Sequence, residues 1–398
     1  GRAKNALSKV AEDGDVYNAL GVIALREGDL NAAAEYFAVA NNEAGIENAA
    51  IIDVNGIGYE VILKAFESPT MLELCTPIVY GSPKVMTYHR KALNLETSFS
   101  IINSASEAIP GRINVINCND DEVKVDLGKA SRESGKAALD ALERAMLDYK
   151  EGLYDVLVTA PIHKEMIQSE TFTFPGHTEY IEQCVGEGAK ALMILANDRL
   201  RVALVTGHVP VAKIASSLTQ ELIEEKLDIF NASLKSDFGI GAPRIAVLAL
   251  NPHAGDGGVI GNEEDTIIPP AIQSMREKGV LCFGPYPADG FMGNASYTHF
   301  DGVLAMYHDQ GLTPFKVLAM DDGVNFTAGL PLVRTSPDHG TAFDIAGKNE
   351  ASANSMRQAI YMAIDIYRNR KSDAEAHRNP LRKLYFEKRD DSDKLKLE

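Results

Sequence analysis

The sequence predicts an α/β fold with a largely parallel sheet, and three observations carry that prediction. Apolar runs of strand length recur along the chain. They are near-continuous rather than alternating, as in sheets covered on both faces. Between them lie stretches with apolar residues at helical spacing. The strand candidates are PIVY (77–80), DVLVTA (155–160), ALMILA (191–196), RVALVT (201–206), RIAVLAL (244–250), GVLAMY (302–307) and FKVLAM (315–320). The helical stretches are 131–149 and 217–234, with NSMRQAIYMAIDIYRNR (354–370) as a closing helix. The Thr-x-x-Glu pattern at the start of 217–234 approximates a capping box.

Residues 1–45 differ from the rest. VYNALGVIALREGDLNAAAEYFAVA (16–40) resembles one tetratricopeptide unit, two helices joined at EGD. One unit cannot build a solenoid, because each repeat buries its face against neighbours. It therefore reads as an appended helical hairpin. The main α/β body is expected over 46–385, with one lobe at 46–160 plus 310–385 and a second at 161–309. A charged tail, 386–398, is expected to fray.

Composition narrows the function classes. The chain has 398 residues, is 45% hydrophobic and carries a net charge of −17, so it can bury a sizeable core but offers no basic stripe for nucleic acid. Local Lys and Arg residues can still select an anionic small molecule. Cys75, Cys118, Cys184 and Cys282 form no CxxC pair, which leaves four buried small side chains as the simplest account. No apolar run is long enough to span a bilayer, so no membrane role is expected and the cytoplasm is the default compartment. The opening GRAKN has no Met and reads as a processed or excised piece.

Three of the nine histidines follow apolar strands directly: His208 after RVALVTG, His253 after RIAVLALNP, and His308 after GVLAMY. Ligands in open parallel sheets bind beyond the carboxyl ends of strands. A single such histidine is usually a loop residue. Three at one structural address point to a divalent metal site with an open, catalytic position. Asp309 and Gln310 are candidate partners for the ligating imidazoles. Asp289, in YPADG, is either an Asx-turn residue or a carboxylate near the metal.

A fourth histidine, His177, stands with Thr178 in FPGHTEY at an expected helix N-terminus, where backbone N–H groups favour anions. Lys316, Asn325 and Arg334 lie among apolar residues on strand-like segments. A buried cation there needs an anionic partner, and Arg suits phosphate or carboxylate by bidentate contact. Neither a P-loop nor a G-x-G-x-x-G fingerprint occurs.

Taken together, VNGIGYEVILKA, FPGHTEY, RVALVTGHVP, LNPHAGDGG, GPYPADGFM, AMYHDQGLTPFK and GVNFTAGLPLVRTSPDHGTAFDIAGK resemble the 4-hydroxythreonine-4-phosphate dehydrogenase family of pyridoxal phosphate biosynthesis, over about residues 53–370. The resemblance implies two α/β/α lobes with an interlobe cleft, similar to isocitrate and isopropylmalate dehydrogenases. It implies a homodimer with shared active sites. It makes His208, His253 and His308 the ligands of one divalent metal (Zn, Mg, Co or Mn), with Asp289 near it. It makes His177, Thr178, Lys316, Asn325 and Arg334 contacts of a small phosphorylated substrate. It gives His339, Gly340, Thr341 and Ala342 to NAD, or NADP, at the adenosine end. The general base is unassigned.

The implied reaction is oxidation of 4-phosphohydroxy-L-threonine followed by decarboxylation. Three other readings stay open: a dehydrogenase of threonate or erythronate 4-phosphate, a three-histidine hydrolase or aldolase, and a non-catalytic binding protein. One departure concerns the edge of the fold. ENAAIIDVNGIGYE leaves little strand before its glycines, so the first strand is expected to be missing or improvised.

Overall fold

The structure is a computed structural model that describes residues 46–379, except 52–53, 120–122, 164, 169–171, 173, 175 and 187. The expected helical hairpin and the charged tail lie outside the described residues. Twelve strands form one sheet. In chain order they are β1 (Ile46–Ile51), β2 (Cys75–Gly81), β3 (Phe99–Ile102), β4 (Ile113–Asn117), β5 (Val156–Thr159), β6 (Leu192–Ala196), β7 (Arg201–Leu204), β8 (Arg244–Leu248), β9 (Leu281–Tyr286), β10 (Gly302–Ala305), β11 (Val324–Ala328) and β12 (Val333–Pro337). The described helices of eight residues or more are α1 (Gly58–Ala65), α2 (Pro83–Ala92), α3 (Arg132–Lys150), α4 (His177–Val185), α5 (Gln220–Ser236), α6 (Ile268–Glu277), α7 (His308–Ala319) and α8 (Asn354–Arg378).

The strand order is β3-β4-β2-β1-β5-β12-β11-β6-β7-β10-β8-β9. The first six strands pair in parallel, and so do the last four. Between the two blocks, β12–β11, β11–β6 and β6–β7 are antiparallel. The two parallel blocks therefore run in opposite directions and are joined through the middle of the sheet.

Alternation along each strand explains the near-continuous apolar runs. On β5, Val156 and Val158 enter one core cluster and Leu157 another. On β10, Leu304 and Val303 divide in the same way between two clusters. α8 closes one face of the central strands. Its Ala359 carbonyl accepts from Thr335 Oγ1 at 2.8 Å. The opposite face is covered in two separate places, by the α3 cluster over β1 and β5 and by the α7 cluster over β7 and β10. Between them a cleft lies over β12, β11 and β6, lined by Met193, Asn325, Arg334 and Ser336.

Three corrections to the sequence reading follow. FKVLAM is not a strand: Phe315–Ala319 is the end of α7, which buries Phe315 and Ala319 and leaves Val317 80% exposed. A short apolar run does not distinguish strand from helix by itself. Four strands were not foreseen (β1, β3, β4 and β9), because Glu, Asn, Ser, Gly and Pro interrupt their apolar character, whereas the strand-like segments around Asn325 and Arg334 are β11 and β12. The first strand is present: β1 lies between β2 and β5, paired in parallel to both. Backbone hydrogen bonds set that pairing, and Ala49 and Ala50 are small enough for close-packed faces.

β1 carries one misfit. Asn48 is buried, and apart from the weak thiol of Cys75 its amide has no hydrogen-bonding partner. An unsatisfied buried amide costs about 1–3 kcal/mol. Asn48→Val removes that cost and adds a β-branched side chain to a central strand, so the melting temperature is expected to rise. A fall in a calorimetric scan would contradict this.

Candidate active site

A cleft of about 280 Å³ opens over the central strands. Strand register puts its floor on one face. Met193 lies opposite Thr327, which lies opposite Arg334, and Asn325 lies opposite Ser336. Residues two apart on a strand share a face, so Asn325 and Thr327 project together, as do Arg334 and Ser336. α7 forms one wall. His308, Leu312 and Lys316 are spaced by four and line the cleft in a row. The start of α4 forms the opposite wall with His177, Thr178 and Glu179.

Arg334 lies at the bottom and is 2% exposed. Its Nε and Nη2 donate to Thr159 Oγ1 at 3.1 and 2.6 Å, and Nη1 donates to Thr327 Oγ1 at 3.1 Å. Nη2 also donates to His177 Nε2 at 2.5 Å. Burial pulls its pKa down to about 10, with the charge of Glu179 opposing that shift. All four hydrogen bonds go to neutral groups. Among the described residues the positive charge therefore has no carboxylate in contact, which favours an anion in the cleft. The geometry also limits how that anion is held. A guanidinium has five N–H donors and four are committed, so the bidentate grip foreseen from sequence is not available in this arrangement.

Two further buried atoms in the cleft lack partners, Asn325 Oδ1 and His339 Nε2. Both are polar atoms that a ligand would satisfy. Lys316 Nζ lies 3.3 Å from Asp338 Oδ1. Burial raises the Asp338 carboxyl, and Lys316 works against that shift. Burial lowers the pKa of His339.

The histidine expectation is distributed by the sheet order. β7, β10 and β8 are adjacent parallel strands, so His208, His308 and His253 follow the same ends of three neighbours. His208 and His308 both line the cleft, with ring centroids 5.6 Å apart. His308 Nδ1 lies 2.7 Å from Asp309 Oδ1, which leaves Nε2 for a metal. Gln310 braces the same strand ends: its Oε1 accepts from Met306 N at 2.7 Å and its Nε2 donates to the Ala249 carbonyl at 2.6 Å. His253 is exposed and is not part of the cleft lining. It sits on the turn Pro252–Asp256 with φ +54°, in a run of left-handed residues. Glu264 anchors that turn, with Oε1 accepting from Leu250 N and Asn251 N at 2.7 Å each. Among the described residues no group of three or more His, Cys, Asp or Glu is assembled to hold a metal. Two imidazoles are thus together and the third points to solvent. Asp289 is exposed outside the cleft lining, and its Oδ1 accepts from Gly290 N at 2.7 Å.

The proposed cofactor loop divides. His339 and Gly340 line the cleft. The Thr341 carbonyl accepts from Ile57 N at 3.1 Å, and Ala342 takes φ +43° and packs on the main core. The 54–57 loop is itself fixed. His89 Nε2 lies 3.0 Å from the Val54 carbonyl, and its ring stacks on Tyr59. Asn55 accepts from Asp126 N at 2.9 Å and donates to the Lys129 carbonyl at 3.0 Å. A Cβ on Gly56 would come within 3.0 Å of the Thr341 carbonyl, so this position requires glycine for the close approach.

Sequence reasoning missed Thr159, Thr327 and Asp338. The only signal for Thr159 was a hydroxyl ending an apolar strand, and for Asp338 its position beside His339.

The model of a known family, "Pyridoxal phosphate biosynthetic protein PdxA", matches residues 73–363. The chain belongs to that family. It is 68% identical over 346 residues to the 4-hydroxythreonine-4-phosphate dehydrogenase of Bacteroides thetaiotaomicron, covering 87% of this chain and 95% of the relative. The crystal structure of that enzyme from Klebsiella pneumoniae superposes with a TM-score of 0.71 at 34% identity, over 82% of this chain and 98% of that one. A terephthalate 1,2-cis-dihydrodiol dehydrogenase from Burkholderia xenovorans superposes with a TM-score of 0.54 at 25% identity, over 81% and 98%. The family fold thus also occurs in a dehydrogenase named for a dihydrodiol.

Burial lowers the pKa of both His89 and His339, so below about pH 6.5 the unfolded chain binds protons that the folded chain does not. Their contribution to stability is complete above that value and is lost as the pH falls toward their folded pKa values. The melting temperature should therefore decline from pH 7.5 to 5.5, and less steeply in His89→Gln. Parallel profiles for the two proteins would contradict the assignment to His89.

Proposed function

We propose that this cleft binds 4-phosphohydroxy-L-threonine and oxidises it with NAD or NADP. The product, 2-amino-3-oxo-4-phosphooxybutanoate, loses CO₂ to give 3-amino-2-oxopropyl phosphate for pyridoxal phosphate biosynthesis. The observation that carries this reading is the buried Arg334, whose charge meets only neutral partners in a cleft shared with His177, Lys316 and Asn325. Family membership and the named relatives agree with it.

The chain's own residues divide the work. Arg334, through its remaining N–H, and Lys316 hold the phosphate or carboxylate charge. Asn325 Oδ1 accepts from a substrate donor, and the backbone at Thr178 adds the favourable end of α4. His208 and His308, joined by His253, hold one divalent ion, and three imidazoles favour Zn or Co over Mg or Mn. When bound, that ion supplies Lewis acidity that lowers the pKa of the substrate hydroxyl. A bound nicotinamide would supply the acceptor for the hydride of the carbinol C–H, and the hydroxyl proton would leave to solvent. His339, Gly340, Thr341 and Ala342 form the loop for the cofactor's adenosine end.

The working unit is a homodimer with shared active sites. Beyond Lys316, the surface of α7 presents Val317, Leu318 and Met320, at 80, 46 and 75% exposure. Such apolar exposure beside a cleft suits an interface, and the exposed His253 suits a metal site completed across it.

Three measurements test this. Purified protein with divalent metal should reduce NAD when given 4-phosphohydroxy-L-threonine, and chelation should abolish the signal. No reduction by metal-loaded protein would sink the reading. Arg334→Gln should raise KM roughly 100-fold, since a charged hydrogen bond is worth about 1.5–3 kcal/mol and the charge itself is lost. Met320→Glu should shift the sedimentation coefficient toward monomer and lower activity. An unchanged dimer would remove this face from the interface.

A further inference from the structure

We propose that Thr159 is a positioning residue, whose hydroxyl sets both the direction of Arg334 and the protonation site of His177. This rests on the anion-site reading above. Thr159 ends β5 and is 1% exposed. β5 and β12 run in parallel with Leu157 opposite Arg334, so Thr159 lies one step further along the same face. Its Oγ1 accepts from Arg334 Nε at 3.1 Å and Nη2 at 2.6 Å, and lies 3.1 Å from His177 Nε2.

A hydroxyl offers two lone pairs and one proton. Here both lone pairs face the guanidinium, so the proton is directed to His177 Nε2. That nitrogen also receives Arg334 Nη2, so its single lone pair is shared between two donors and it carries no proton of its own. The ring proton of His177 must then sit on Nδ1. The arrangement uses the Nε and both Nη2 donors of Arg334 internally and, with Thr327 on Nη1, leaves a single N–H for the ligand. The guanidinium is thereby locked in orientation before an anion arrives, which removes the cost of ordering it at binding. Valine has the same shape without the oxygen. It would leave two guanidinium N–H groups unpaired in a buried place and remove one of the two donors at His177 Nε2.

Thr159→Val, Thr159→Ser and Arg334→Gln are compared with the unmodified protein. The readouts are inorganic phosphate affinity by calorimetry, KM and kcat with 4-phosphohydroxy-L-threonine, and the His177 tautomer by ¹⁵N NMR. Thr159→Val should weaken phosphate binding and raise KM roughly 10- to 100-fold, with kcat within about threefold. Thr159→Ser, which keeps the oxygen, should stay within about threefold of the parent on both measures. The parent should show His177 protonated on Nδ1. Phosphate affinity retained in Thr159→Val, or a Ser variant as damaged as the Val variant, overturns the role of Thr159. A parent tautomer protonated on Nε2 overturns it too, whether or not the Val variant folds. Arg334→Gln separates the two readings: loss there with retention in Thr159→Val removes only Thr159, whereas retention in both removes the anion site itself.

Discussion

The antiparallel weld at the centre of the sheet is the constraint on which the rest depends. β12, β11, β6 and β7 alternate in direction, so two parallel blocks meet running opposite ways. Each block carries its own helices, because parallel crossovers place helices on the sheet faces. On one face α8 spans the junction. On the other, the α3 and α7 clusters stop short of each other. The uncovered strip becomes the cleft, and its floor consists of strand side chains held by ladder hydrogen bonds. Such a floor is rigid, which suits residues that must be oriented before ligand arrives.

Into that strip the chain places an arginine in contact with no carboxylate. A buried ion with neutral partners is costly unless its charge is used. Here the cost is reduced by hydroxyls from Thr159 and Thr327 and by the His177 imidazole. The same strip shows why one fold hosts different dehydrogenases. The relative named for a dihydrodiol shares the fold, so the fold by itself does not set the substrate.

The loops at 54–57 and 339–342 are held differently. The 54–57 loop and the 339–342 loop brace each other through Ile57 and Thr341, with Gly56 allowing the contact. The first strand leads into this brace. That explains why a strand built from IENAAI suffices: its backbone pairing delivers Val54 to Ile57 to the right place, and its side chains need only be small or apolar where the faces close.

Much of this was legible in the sequence. Near-continuous apolar runs gave the buried parallel strands, because both faces of such strands are covered. Strand-end histidines and the flanked cations gave His208, His308, Lys316 and Arg334 of the cleft lining, because a charged or ligating residue at the mouth of a core strand needs a reason to be there; His253, the third strand-end histidine, stands outside it. FKVLAM was read wrongly because five apolar residues fit either a strand or a helix face. β11 and β12 were legible only as strand-like flanks of Asn325 and Arg334, because their cleft-facing residues, Asn325, Thr327, Arg334 and Ser336, are polar and break the apolar pattern. The sequence alone determined the chemical types available: imidazoles, one buried guanidinium, small backbone-approach glycines. Only the tertiary structure decided which of them meet. Contact between Thr159, His177 and Arg334 depends on strand register across residues 175 apart, and register is set by pairing geometry that no local pattern encodes.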